Sequence, residues 1–100
     1  MSYLSKNQND ILSKAKMKIR ALNHPLRKKI LFLIKDNRNR MNVTDIYGKM
    51  RIEQSVASQH LAILRRQGLV TTERDSRVIW YSVNDAAIRY LLKCCEQVVK

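Results

Sequence analysis

The chain has 100 residues, 45% of them hydrophobic, with two cysteines and a formal charge of +12 from 20 Lys and Arg against 8 Asp and Glu. That length suits one domain whose small core gains from self-association, and the positive excess points to a polyanion, either nucleic acid or an anionic membrane surface. No apolar run approaches the ~20 residues of a bilayer span, Met1-Ser2-Tyr3-Leu4-Ser5-Lys6 lacks the apolar segment of a signal peptide, and two adjacent cysteines exclude a disulfide scaffold, so a cytoplasmic protein without a membrane partner is expected.

Taken in order, Leu12, Ala15, Ile19 and Leu22 recur at helical spacing and predict a helix over 10–22 with one apolar side. Lys14, Lys16, Lys18 and Arg20 fall on its other faces. Asn23-His24-Pro25 is a helix start, because Pro suits the first helical position and the residue before it avoids helical angles. A second helix follows with Leu26, Ile30, Leu33 and Ile34 inward and Arg27, Lys28 and Lys35 outward, and the polar run Asp36 to Arg40 reads as a loop. Asn42 with Asp45 three positions later is an N-cap signature for a short helix through about Met50. Gly48 costs that helix ~1 kcal/mol relative to Ala, so a close helix contact or a frayed end is expected there. Arg51-Ile52 then turns into a further helix over Glu53 to Gln67, making a helix-turn-helix of 43–67.

In that second helix Ala57, Leu61 and Leu64 share the inward face, leaving Gln54, Ser55, Ser58, Gln59 and Arg65 on the other sides. Short hydroxyls and amides near the start of a helix suit a tip that enters a major groove, where Gln meets adenine bidentately and Ser meets any base edge. Gly68 supplies a left-handed residue to end the helix, with Arg65 and Arg66 at its negative pole. An ordinary amphipathic helix with a wet polar face would read the same in isolation. The context decides against it. Val70 to Arg74 and Arg77 to Val83 are rich in β-branched and aromatic residues around the polar tip Asp75-Ser76, which predicts a hairpin, the wing of 69–83. Ile79, Tyr81 and Val83 alternate onto the face against the helices, with Val78 and Trp80 opposite. Asn84 or Asp85 caps a last helix over 85–99 whose stripe is Ile88, Leu91, Cys95 and Val98. The fold class is therefore mainly α with a small β-hairpin, in the order α-α-α-α-β-β-α.

Three segments carry a resemblance: Leu22-Asn23-His24-Pro25-Leu26-Arg27-Lys28-Lys29-Ile30-Leu31, then Ser58-Gln59-His60-Leu61 with Leu64-Arg65-Arg66-Gln67-Gly68-Leu69-Val70, and the wing ending in Tyr81. In this order they resemble the ArsR/SmtB family of bacterial transcriptional repressors over roughly Ala21 to Val83. The resemblance implies a winged helix-turn-helix and a homodimer joined by its first and last helices through Leu12, Ala15, Ile19, Leu22, Ile88, Leu91, Cys95 and Val98. It also implies double-stranded DNA as partner. Gln54, Ser55, Ser58 and Gln59 would face bases or adjacent phosphates, with Arg65 reaching phosphate and Arg74 and Arg77 on backbone or minor groove. His60 fits the family pattern too, but its spacing from Val56 and Ile63 leaves it half-buried, which suits packing or a phosphate contact better than base reading. Glu53 departs from the family's Ser or Thr N-cap, and Ser76 stands in place of a Gly frequent at the wing tip.

Thiolate-binding members of that family carry Cys-x-Cys in the helix before the recognition helix, and here Asn42 to Met50 holds no thiol. Zinc-binding members use Asp/His pairs on the last helix, which here offers Asp85 and Glu96 but no His. No metal site and no cofactor are expected. Cys94 and Cys95 point about 100° apart on a helix, so they neither chelate nor readily crosslink with each other. Cys95 reads as a small buried hydrophobe, and Cys94 beside Lys93 as a thiol that reacts or pairs with its symmetry mate. A regulator controlled by thiol redox and a nonspecific architectural binder are the alternatives to a sequence-specific, metal-independent repressor. No catalytic constellation or glycine-rich phosphate loop supports an enzyme.

Overall fold

The computed structural model describes the chain over residues 6–99, and its side chains over 10–93. The elements are α1 (Lys6–Leu22), α2 (Pro25–Asp36), β1 (Met41–Asn42), α3 (Val43–Met50), α4 (Gln54–Arg66), β2 (Val70–Asp75), β3 (Val78–Val83) and α5 (Asp85–Val99). This is a winged helix-turn-helix with one strand more than the predicted hairpin. β3 is central in an antiparallel sheet of order β1-β3-β2, with Met41 opposite Tyr81 and Val70 opposite Val83. β1 escapes a search for alternation because two residues contain no period.

The core joins helices and sheet through Ala21, Ile30, Leu31, Ile34, Met41, Ile46, Leu61, Leu64, Leu69, Val70 and Val83. Ala57, Leu61 and Leu64 are buried as their spacing predicts, and Ile30 and Ile34 likewise. Leu31 is buried as well, while Leu26 and Leu33 are only half-buried. Ile79 was expected on the core side of the wing but is 42% exposed. Alternation identifies the face of a strand, and the wing tip reaches past the helices that would cover that face.

Local polar bonds fix the joints between elements. The Leu26 N–H donates to His24 Nδ1 at 3.2 Å, so His24 caps α2 ahead of Pro25. Arg27, predicted outward, turns back to donate to the carbonyls of Ala21 (3.0 Å) and Arg20 (3.4 Å), covering the open end of α1. Asn42 caps α3 by accepting from the Asp45 N–H at 2.9 Å, as predicted. Gly48 has nothing within 4 Å of where a Cβ would stand, so the expected close helix contact is absent. α3 ends instead at Arg51, whose φ of 55° is left-handed.

Gly68 takes φ 72° after α4, and the Leu69 N–H returns to the Leu64 carbonyl at 2.9 Å, closing the helix before the wing. Lys18 of α1 donates to the Gln67 carbonyl at the same place. Asn39 behaves as a detached strand residue, its amide accepting from the Val83 N–H at 2.7 Å and donating to the Val83 carbonyl at 3.3 Å. Asn84 caps α5 through the Ala87 N–H (3.2 Å) and donates to the Gly68 carbonyl (3.0 Å), tying α5 to the end of α4.

Candidate nucleic-acid interface

With Ala57, Leu61 and Leu64 committed to the core, helical geometry leaves α4 one outward strip. Gln54, Ser55, Ser58 and Gln59 are all exposed on it, followed by exposed Arg65 and Arg66. Amides and hydroxyls therefore occupy the first half of the strip and guanidinium groups the last turn. Arg66 lies outside the expected set, although it continues the spacing of Ser55, Gln59 and Ala62. Glu53 forms no side-chain cap, as its departure from Ser or Thr implied, so the start of α4 keeps unpaired N–H groups at its positive pole.

His60 lies off this strip. It faces α2, where Arg27 Nε donates to its Nδ1 at 3.3 Å and the His24 ring stands 4.9 Å away, centroid to centroid, tilted by 53°. Accepting at Nδ1 leaves the neutral ring its proton on Nε2. Burial pushes its pKa below the usual 6.5, and the neighbouring His24 and Arg27 push it further down. A lowered folded value means that the unfolded chain takes up the proton first. The stability from His60 is then complete above about pH 6.5 and lost as pH falls through the folded value. Urea midpoints should fall between pH 7.5 and pH 5, less steeply in His60→Gln. Equal slopes in the two proteins would contradict this role.

The wing supplies the other cations. Arg74 and Arg77 are both exposed. Arg74 Nε donates to the Ser76 carbonyl at 3.3 Å, and Ser76 takes φ 58°, a left-handed angle more easily met by Gly. Arg77 borders a cleft of about 250 Å³ that also includes Asn42 and Thr44 at the start of α3 and Tyr81 of β3. Arg40 was not predicted. Its guanidinium lies 4.0 Å above the Trp80 ring and 3.8 Å from the Asp75 carboxylate. A pairing between segments so far apart in the chain leaves no local trace in the sequence.

The helices expected to pair with a second copy, α1 and α5, pack on each other within the chain. Leu12, Ala15, Ile19, Leu22 and Ile88 are half-buried, and Leu91 is only 2% exposed. Among the described residues, the large apolar side chains left open on these helices are Ile11, Met17, Tyr90 and Leu92. The expectations for Cys94, Cys95 and Val98 fall outside the described side chains. Among the described residues no three His, Cys, Asp or Glu side chains group to hold a metal ion. No described helix is long and apolar enough to cross a membrane.

The family model for bacterial regulatory protein, arsR family, matches residues 24–72, from the cap of α2 into the first wing strand. The chain is similar to the transcriptional activator HlyU of Vibrio cholerae, 30% identical over 81 residues that cover 81% of this chain and 73% of HlyU. The crystal structure of NolR from Sinorhizobium fredii superposes with a TM-score of 0.72 at 35% identity, over 96% of this chain and 95% of that one. The homodimeric winged helix-turn-helix DNA-binding domain Mb0332 from Mycobacterium bovis shares the fold, with a TM-score of 0.77 at 24% identity over 99% of this chain and 89% of that domain. Together with the helix-turn-helix, its polar strip and the wing, these matches show that the chain belongs to the arsR family of bacterial regulatory proteins, DNA-binding regulators of transcription and not enzymes.

Proposed function

We propose that residues 1–100 form one winged helix domain that binds, as a homodimer, an inverted-repeat operator in double-stranded DNA, and represses transcription there without a metal cofactor. The observation that carries this reading is the α4 strip of Gln54, Ser55, Ser58 and Gln59, exposed on a helix whose opposite face is locked into the core. In the major groove Gln54 and Gln59 read base edges bidentately and Ser55 and Ser58 contact bases or the flanking backbone. Arg65 and Arg66 neutralise phosphate. Arg74 and Arg77 of the wing hold the backbone or adjacent minor groove, and the cleft of Arg77 and Thr44 suits a phosphate oxygen. His60 acts from behind by fixing α4 to α2.

Dimerisation draws on helices 10–22 and 85–99. Ile11, Met17 and Tyr90 offer apolar area that a 100-residue chain gains by covering. The Mb0332 domain of the same fold is described as homodimeric. Repression follows from occupancy alone, since a dimer seated over a promoter excludes polymerase without any further contact; HlyU, by its name, is an activator. Selection from a random duplex pool tests the reading. The expected product is an inverted repeat with half-site centres about one helical turn (~34 Å) apart. An unenriched pool or a lone half-site would contradict it.

A further inference from the structure

Between α2, α5 and the end of α1 lies a groove of about 440 Å³ that the DNA-binding reading does not use. Its volume falls within the roughly 300–1,000 Å³ of small-molecule sites. Leu31 and Val83 belong to the buried core beneath it, whereas Phe32 and Leu92 border it from α2 and α5 at 69% and 53% exposure. Phe32 is the most exposed large apolar side chain described, with Lys28 and Lys35 one turn to either side of it on α2. Asp85 already neutralises Lys35 at 2.7 Å. Lys28 has only the neutral Asn23 Oδ1, at 3.3 Å, among the described residues. Among the described residues the groove thus combines an apolar bed with one ammonium that lacks a carboxylate.

We propose that this groove binds a small amphipathic monocarboxylate, its carboxylate on Lys28 and its apolar body against Phe32 and Leu92. A carboxylate supplies the countercharge that Lys28 lacks among the described residues, which the apolar face of a second copy does not. The bed between two helices matches the single tail of a free acid. This site goes beyond the DNA-binding reading and does not rest on it.

Decanoate titrated into the 100-residue chain without DNA, followed by backbone amide shifts, tests the site. Saturable shifts are expected on α2 and α5 around Phe32, Ile88 and Leu92. Decanol should bind about tenfold more weakly, and Lys28→Gln should weaken decanoate by about tenfold, the worth of one charge-assisted bond. Lys49→Gln, on α3, should change nothing. Phe32→Ala should weaken binding while keeping the urea midpoint, because this ring is mostly in water. Three results would each overturn the proposal: no saturable shift in the groove, equal losses from Lys28→Gln and Lys49→Gln, or groove shifts that follow protein concentration without decanoate and vanish in Phe32→Ala, which would assign the groove to a second copy. Duplex affinity of the decanoate-free protein is measured separately, so failure here is distinguishable from failure of the DNA reading.

Discussion

Replacing Ser58 and Gln59 together by Ala should remove about 2–4 kcal/mol of operator preference, a loss of about 30- to 1,000-fold on the selected site, while leaving affinity for random duplex largely intact. Both side chains are exposed on α4 and neither is charged, so their removal takes away base-edge hydrogen bonds without changing phosphate neutralisation. Alanine also favours the helix, which keeps the scaffold in place. The paired change Arg74→Ala/Arg77→Ala should behave oppositely. It should weaken specific and random binding alike and lower the salt slope by about 4, one unit for each phosphate no longer neutralised by the two chains of the dimer. Equal losses on operator and random DNA from the α4 pair would mean that this strip does not read bases.

Leu61→Ala should cost about 3 kcal/mol, within the range for truncating a buried leucine, and lower Tm by about 12–24 °C. Leu61 is completely buried in the cluster that includes Ile30, Ile34, Ile46 and Leu64, three helices converging behind the exposed strip of α4. The cavity left by its side chain loosens the anchor of α4, not its outward chemistry. Urea or thermal unfolding measures the loss directly. Below the new midpoint the variant should keep its ratio of operator to random binding. A wild-type midpoint would show that the helix is held elsewhere.

The exposed strip of α4 was legible because one period fixes both sides of a helix: once Ala57, Leu61 and Leu64 are inward, Gln54, Ser55, Ser58 and Gln59 have to face water. The N-cap at Asn42 and the left-handed Gly68 were legible for a similar reason, since their chemistry acts within a few residues. Interactions between distant segments were not. Arg27 reads as a surface cation from its position, and only the approach of α1 and α4 gives it two carbonyls and His60 to bond. Arg40 on Trp80 and Asn39 on Val83 are equally long-range. Periodicity also fails to say what covers an apolar stripe: the spacing of Ile88 and Leu91 marks one side of α5, and Leu91 is buried within its own chain.

In the proposed dimer, two chains hold their α4 helices at a spacing that fits successive major grooves on one side of B-form DNA. Inserting about five base pairs, half a helical turn, at the dyad of the selected operator moves one half-site to the opposite face. Affinity for this duplex should drop about 100-fold or more toward the nonspecific level, while the intact operator binds two chains per duplex. Unchanged affinity for the lengthened site, or one chain per intact operator, would contradict the paired arrangement.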